Sequence, residues 1–212
     1  MIAPPEFPPA PYVERPLGRG LHVRFAARML RVLGWRVVLA QPVPLRCVVV
    51  IYPHTSNWDF PIGLMAKWVT GVHFRFVGKD TLFAGPFGPL FTRWGGIPVN
   101  RRERTGIIAQ LAQRFAAEDD FRLVFAPEGT RSRTEHWKSG FYHLSRAAGV
   151  PVALAFIDYA RREVGVGAHL DLTGDVGADM ARIAAFYAGK VGKRPENAGP
   201  IRLPAQDAES RD

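Results

Sequence analysis

The most informative segment of the chain is Cys47-Val48-Val49-Val50-Ile51-Tyr52-Pro53-His54-Thr55-Ser56-Asn57-Trp58-Asp59. Its first five residues are apolar and mostly β-branched, and prolines stand on both sides of them, which predicts a short buried strand. Asp59 begins a helical pattern, so a short loop joins the strand to a helix. His54 lies in that loop, at the carboxyl end of the strand, where open α/β sheets bind their ligands.

His54 and Asp59 form a candidate acid–base pair. A carboxylate in the first turn of a helix is stabilised by the helix dipole. From there it can accept the Nδ1 hydrogen of His54 and leave Nε2 free to take a proton from a hydroxyl group. The alternative is a loop histidine and a helix-capping aspartate that fall five residues apart by chance. The pair alone does not decide between these two interpretations.

Strand and helix patterns alternate along the rest of the chain. Helical patterns cover residues 60–70, 105–117, 140–148 and 179–188, and strand patterns cover residues 73–78, 95–102, 121–126, 150–158 and 163–169. Such alternation is typical of an α/β fold, here a single domain with a mainly parallel central sheet flanked by helices. Residues 79–94, rich in glycine, proline and aromatic residues, either line an apolar groove or belong to the core.

The chain divides into a domain and two flanking segments. Residues 1–16 are rich in proline and predict a flexible arm, and residues 191–212 predict a polar tail that is loosely held. Residues 17–190 form the predicted domain, and residues 17–40 of it are expected to be an amphipathic helix that faces a membrane. No apolar run approaches the roughly 20 residues that span a bilayer.

The predicted N-terminal helix is strongly basic. The whole chain of 212 residues carries a net charge of +9, which favours anionic partners. Residues 15–58 contain seven arginines and no acidic residue. Apolar side chains recur at helical spacing, and three arginines lie on a neighbouring face of the same helix; the apolar set is Leu21, Phe25, Met29, Val32 and Leu33, and the arginines are Arg24, Arg28 and Arg31. The pattern predicts contact with an anionic membrane surface, and the alternative is a packed helix with a solvated arginine face.

Two further loops carry arginine at the ends of predicted strands. One ends at Arg101, and the other is the turn Glu128-Gly129-Thr130-Arg131. The planar guanidinium group matches phosphate oxygens in a bidentate way. Gly129 allows backbone N–H groups to approach an anion closely. Because these loops and His54 are expected at one edge of one sheet, a phosphate-binding site beside the acid–base pair is favoured over surface arginines and an ordinary turn glycine.

Other kinds of site have little support in the sequence. Cys47 is the single cysteine, so the chain can form no internal disulfide and no cysteine-based metal site, and a reducing compartment fits. The remaining histidines are scattered without metal-ligand spacing, and we expect no metal and no cofactor. No helix-turn-helix or zinc-finger pattern is present, so we expect no nucleic acid as a partner.

Four sequence blocks, in order along the chain, resemble those of the glycerophospholipid acyltransferase family, whose best-known members are 1-acyl-glycerol-3-phosphate acyltransferases. The first is a histidine and an aspartate separated by four residues, here PHTSNWD. The second is the glycine-rich strand GGIPVNR, which ends at Arg101. The third is PEGTRS, and the fourth is the apolar strand GVPVALAF. Pro53 stands where many members of the family have asparagine.

The resemblance implies an enzyme that moves a fatty acyl group from acyl-CoA or acyl carrier protein to a hydroxyl of a lysophospholipid. It implies that His54 and Asp59 are catalytic and that Arg101 and the turn from Glu128 to Arg131 form the acceptor-phosphate site. Within that site Glu128 either orients Arg101 or Arg131 or binds an acceptor hydroxyl. A cytoplasmic enzyme, peripheral on the inner face of the cell membrane, is expected. The alternatives are an acyltransferase for a lyso-aminolipid, an acyl thioesterase, or a basic module that binds nucleic acid or membrane without catalysis.

Overall fold

The computed structural model describes residues 7–99 and 106–204. In that part of the chain seven strands alternate with seven α-helices and one 3₁₀-helix. The strands are β1 (Arg36–Leu39), β2 (Arg46–Ile51), β3 (Phe74–Lys79), β4 (Gly96–Val99), β5 (Phe121–Phe125), β6 (Val152–Asp158) and β7 (Glu163–Leu170). The helices are α1 (Leu21–Val32), α2 (Asp59–Thr70), α3 (Asp80–Phe83), α4 (Gly88–Arg93), α5 (Ile107–Ala117), α6 (Gly140–Ala148) and α7 (Val176–Tyr187), with the 3₁₀-helix at Pro195–Asn197.

The strands form one sheet in the order β1-β7-β6-β2-β5-β3-β4. The five strands from β6 to β4 are parallel to one another, β7 runs antiparallel to β6, and β1 runs parallel to β7. This confirms the predicted α/β fold with a mainly parallel sheet. It also places the carboxyl ends of five strands at one edge, which we call the carboxyl edge.

Strand β2 lies in the middle of the sheet and is buried on both faces. Val48 and Val50 pack into the core beneath α5, α6 and α7, while Cys47 and Val49 face the other side with Ala153 and Val166. A parallel strand covered on both faces needs a continuous apolar run rather than an alternating one. The apolar run in β2 is therefore unbroken because the strand lies in the centre of the sheet.

The prediction of one long helix over residues 17–40 is wrong in its second half. Helix α1 ends at Val32, and Gly34 follows with a left-handed φ of 74°, a conformation that costs glycine little. Its N–H bonds to the carbonyl of Arg31, and the N–H of Trp35 bonds to that of Leu30. The chain then turns into β1, a buried strand beside β7.

Helix α1 packs on α2 through a face that the sequence pattern did not single out. Val23, Ala26 and Leu30 are buried against α2, and they form a core cluster with residues such as Ile62 and Val69. The face carrying the predicted apolar stripe points away from the domain. Exposed on it are Leu21, Phe25, Val32 and Leu33, with Arg24, Arg28 and Arg31 exposed beside them.

The two flanking segments contact the domain more than the sequence suggests. In the predicted arm, Tyr12 bridges to Val38 and the N–H of Val13 bonds to the carbonyl of Val37. The predicted tail lies on the domain as far as residue 204, because Tyr52, Thr55 and Trp137 bond to its backbone. The expectation of a loosely held tail is therefore wrong for residues 191–204. No helix in the described ranges combines the length and apolarity needed to cross a membrane.

Candidate active site

The predicted loop forms between β2 and α2, on the carboxyl edge. Strand β2 ends at Ile51 and helix α2 begins at Asp59, so His54 follows the strand and Asp59 opens the helix, as the sequence predicts. The N–H of Asp59 bonds to the carbonyl of Ser56, and that of Trp58 bonds to the Ser56 hydroxyl. These local bonds fold the loop back so that His54 and Asp59 face each other.

Nδ1 of His54 lies 3.1 Å from Oδ2 of Asp59. This is hydrogen-bond length, although Nδ1 has no partner that meets the angular requirements of a hydrogen bond. Apo enzymes often hold such pairs loosely. The His54 side chain is 18% exposed and that of Asp59 only 1%, so the imidazole can reach a ligand while the carboxylate is shielded. The arrangement can remove a proton from a bound hydroxyl group.

Asp59 is buried and accepts two further hydrogen bonds. The backbone N–H of Ser56 donates to Oδ2 at 2.9 Å, and the Tyr159 hydroxyl donates to Oδ1 at 2.8 Å. Burial alone would raise the pKa of Asp59, but the approach of His54 and the hydrogen bonds from Ser56 and Tyr159 outweigh it and hold this pKa below its ordinary value. The carboxylate therefore stays charged, which is what an imidazole partner requires.

Glu128 points into the protein rather than toward a ligand. It is 1% exposed, and its Oε2 accepts the backbone N–H of His54 at 2.8 Å. Burial raises the pKa of Glu128 to about 7, against the opposing effect of the backbone N–H groups of His54 and Gly199. The sequence assigned Glu128 to the acceptor phosphate; the structure instead makes it the residue that fixes the His54 backbone and joins the two loops.

The other residues of the predicted phosphate turn are accessible. Thr130 and Arg131 are exposed, and the N–H of Ser132 bonds to the Thr130 hydroxyl. Gly129 has a φ of 67°, and a Cβ there would lie 2.6 Å from Cε of Lys138. The left-handed φ favours glycine at this position, while the Lys138 side chain is flexible and could move away from a Cβ. Lys138 thus places a second cation against the turn, which the sequence analysis missed.

Arg101, the remaining predicted phosphate ligand, lies outside the described residues. Another cation on the carboxyl edge is Lys79, the exposed last residue of β3. A sequence-based signal for it existed, since Lys79 directly follows the strand predicted over residues 73–78. Among the residues in the described ranges, no group of three His, Cys, Asp or Glu side chains could hold a metal ion.

A half-buried aromatic cluster begins directly beside Asp59. The Phe60 ring lies 5.4 Å from that of Phe76, 5.9 Å from that of Phe91 and 6.1 Å from that of Trp94. It continues to Phe83 and Trp68. Residues 79–94 were expected either to line an apolar groove or to be core, and Phe83, Phe91 and Trp94 among them are only partly buried.

Tyr159 was missed because nothing in its local sequence distinguishes it. It follows β6 and lies 100 residues from Asp59 along the chain. Only the parallel pairing of β2 with β6 brings the two ends together. Its position at the end of an apolar strand that shares the sheet with β2 was the one available indication.

Comparisons with known proteins agree with this picture. The family model described as Acyltransferase matches residues 35–155, more than half of the chain. Among curated proteins none matches the sequence. The fold is similar to the crystal structure of the 1-acyl-sn-glycerophosphate (LPA) acyltransferase PlsC from Thermotoga maritima, with a TM-score of 0.51 and 20% identity over 71% of this chain and 67% of that chain. The chain therefore belongs to the Acyltransferase family, as its four sequence blocks indicate, and is an acyltransferase enzyme.

Proposed function

We propose that the protein transfers a fatty acyl group from a thioester to the free hydroxyl of a lysophospholipid, 1-acyl-glycerol-3-phosphate being the favoured acceptor. The observation that carries the proposal is the His54–Asp59 pair, 3.1 Å apart and joined through Glu128 to an exposed arginine-bearing turn. The pair supplies a base for a hydroxyl group, and the turn supplies a cation for a phosphate. An acceptor with both groups fits the two features together.

In the proposed reaction His54 acts as general base. Its Nε2 takes the hydroxyl proton while the acceptor oxygen attacks the thioester carbonyl, and the thiol then leaves with a proton. Asp59 holds the imidazole and stabilises its positive charge, so the nucleophile belongs to the substrate and not to the protein. Proton transfer of this kind contributes roughly 100- to 10,000-fold to a rate. Cys47 is fully buried in β2 and takes no part.

The acceptor headgroup is proposed to lie on the β5 side of His54. Arg131 and the backbone at Gly129 and Thr130 would bind its phosphate, with Lys138 beside the turn. Arg101 remains a predicted ligand of the same phosphate. Glu128 is not proposed as a ligand, because its carboxyl group is buried under the His54 loop.

The acyl chain is proposed to lie along the aromatic cluster that starts at Phe60. The cluster is adjacent to Asp59 in sequence and half-buried, so it offers apolar surface close to the reacting carbonyl. Leu82, Phe87 and Leu90 are exposed on the neighbouring helices α3 and α4. Contact of an acyl chain with these groups would remove apolar area from water at about 25 cal/mol per Å².

Helix α1 is proposed to bind the enzyme to a membrane containing anionic lipid, on its cytoplasmic face. Phe25 is 60% exposed and Leu21 is 81% exposed, and both lie on the side of α1 that faces away from the domain. Large apolar groups exposed in this way beside arginines are typical of interfacial helices. Such binding would bring the site to its lipid acceptor.

The test is an acyl-transfer assay with purified protein over a panel of lysolipids, with acyl-CoA and acyl carrier protein as donors. We expect transfer to lysophospholipid, and we expect His54→Ala and Asp59→Asn to abolish it while His73→Ala, at an exposed histidine just before the amino end of β3, retains it. A His54→Ala protein that transfers at the normal rate would refute the mechanism. Cleavage of the donor that needs no acceptor would indicate a thioesterase, and transfer only to a lyso-aminolipid would refute the phosphate site.

A further inference from the structure

A cleft lies beyond β6, on the opposite side of β2 from the phosphate turn after β5. It has a volume of about 450 Å³ and is lined by Val32, Leu33, Trp35, Tyr159, Arg162 and Lys193. We propose that this cleft binds the phosphopantetheine arm of the acyl donor, the group that coenzyme A and acyl carrier protein share. The proposal rests on the proposed function and names the partner of the same site.

The position of the cleft follows from the order of the strands. Strand β2 lies between β5, whose loop carries Arg131, and β6, which leads into Tyr159. If the acceptor phosphate occupies the β5 side of His54, the β6 side is left for the second substrate. Tyr159 forms part of the cleft wall and donates its hydroxyl hydrogen to Asp59 at 2.8 Å. Tyr159 therefore belongs both to the cleft wall and to the hydrogen bonds around Asp59.

The charges in the cleft suit a phosphate group. Arg162 and Lys193 are both exposed, and neither has a carboxylate within 4.0 Å among the residues that the structure describes. Their neighbours Arg36 and Arg161 differ in this respect, because they pair with Glu163 and Asp158. Two cations without acidic partners at one opening offer charge to an anionic ligand.

Each cation contacts a neighbour that carries no negative charge. The guanidinium group of Arg162 donates to the carbonyl of Leu33 at 3.1 Å, and the residue has a left-handed φ of 51° in the turn between β6 and β7. Nζ of Lys193 lies 4.9 Å from the centre of the Trp58 ring, next to Asp59 in sequence. Lys193 therefore connects the cleft to the loop that carries the pair.

The remaining walls suit the pantetheine part of the arm. Trp35 and Tyr159 pack edge to face with ring centres 5.0 Å apart, and Val32 and Leu33 add aliphatic surface. An extended chain of methylene and amide groups can lie along such a surface while its phosphate stays at the charged opening. A free lipid headgroup would use the charges but leave the aromatic floor without a partner.

The experiment compares the same substitution, arginine to glutamine, at the cleft and at a distant position. Arg162→Gln removes a cation at the cleft, and Arg46→Gln removes an exposed arginine at the amino end of β2. Each donates a hydrogen bond to one backbone carbonyl, at 3.1 Å to Leu33 for Arg162 and at 3.2 Å to Phe115 for Arg46. We expect Arg162→Gln and Lys193→Gln each to raise KM for acyl-CoA about tenfold with an unchanged KM for the lysolipid. Arg46→Gln should leave both constants unchanged.

Binding measurements with each donor show which one supplies the phosphopantetheine group. They also test the cleft separately from the proposed transfer reaction. Calorimetric titration is done with coenzyme A and with acyl carrier protein that carries phosphopantetheine. The natural donor of the two should bind more weakly to Arg162→Gln than to the natural chain. This readout needs no transfer activity, so it tests the cleft even if the proposed reaction is wrong. Unchanged binding of both donors, an equal rise in the KM of the lysolipid, or loss of binding to anionic vesicles instead of to the donor would overturn the proposal.

Discussion

At the scale of single residues, Asp59 depends on a hydroxyl group that lies far away in the sequence. Tyr159 donates to its Oδ1 while Ser56 and His54 face its Oδ2. A buried carboxylate with several donors is held in one orientation, and its charge is stabilised. Tyr159 is therefore a positioning residue for the proposed base, which it affects through Asp59.

We expect Tyr159→Phe to lower kcat about tenfold, the kinetic equivalent of about 1.4 kcal/mol, with little change in either KM. The acidic limb of the kcat profile should move to higher pH, because Asp59 loses one of the bonds that hold its pKa down. Tyr142→Phe is the matched control, since the Tyr142 hydroxyl also donates to a buried carboxylate, Asp179, at 2.9 Å. If both variants lower kcat equally, the role of Tyr159 is only structural.

Glu128 gives a prediction about stability. Its pKa is about 7 in the folded protein against an ordinary value of 4.5. Between these values the folded protein binds more protons than the unfolded chain, so this residue lowers the free energy of unfolding as pH rises, by about 3 kcal/mol in total. Above the folded pKa the contribution is constant.

Glu128→Gln should remove this pH dependence and keep the hydrogen bond to His54, because an amide oxygen can also accept it. Urea unfolding at about pH 5 and about pH 8 measures the effect. The difference in the free energy of unfolding, variant minus natural chain, should be larger at about pH 8 than at about pH 5. A stability difference that is the same at both would show that Glu128 titrates like an exposed glutamate.

At the scale of elements, helix α1 has two apolar faces in different surroundings. Val23, Ala26 and Leu30 pack on α2, and the stripe that includes Leu21 and Phe25 faces outward. A helix that is apolar on two faces would normally be buried between neighbours. Here one of the faces has no neighbour in the described part of the chain, which supports the proposed membrane contact.

We expect Phe25→Asp to weaken binding to vesicles containing anionic lipid about tenfold, since a buried phenylalanine side chain is worth about 1.5 to 3 kcal/mol. Leu45→Asp is the control, because Leu45 is 61% exposed, like Phe25 at 60%, but precedes the amino end of β2. Vesicle sedimentation measures binding, and thermal unfolding checks that both variants fold. Equal binding by the two variants would refute a membrane-facing α1.

At the scale of the whole molecule, the site is assembled from four separate parts of the chain. The β2–α2 loop carries the pair, the β5 turn contributes Glu128, the β6 end contributes Tyr159, and residues 191–199 cover the loop from outside. The hydroxyl of Tyr52 donates to the carbonyl of Gly199 at 3.0 Å, and Thr55 accepts the N–H of Arg194 at 3.2 Å. The final segment therefore supports the His54 loop.

We expect Gly192→Ala to lower both stability, by about 1 to 3 kcal/mol, and kcat. A Cβ at Gly192 would lie 2.6 Å from the Thr55 hydroxyl oxygen, so the segment and the loop would have to separate. Gly85→Ala is the control, because no atom lies within 4 Å of its added carbon. Denaturant unfolding and steady-state kinetics measure the two effects, and full activity of Gly192→Ala would show that the segment is not needed to hold the loop.

Four local features of this protein follow from its amino-acid sequence alone: strand β2, the loop after it, the start of α2 at Asp59, and the turn at Gly129. Each depends on residues close together in the chain, because an apolar run, a glycine or a helix start affects the backbone of only a few neighbouring residues. Four other features result from tertiary packing. Glu128 turns inward, Tyr159 reaches Asp59, the tail covers the loop, and one particular face of α1 stays exposed. These features depend on packing between segments as much as 100 residues apart, and side-chain direction there is set by the neighbours that the sheet brings together.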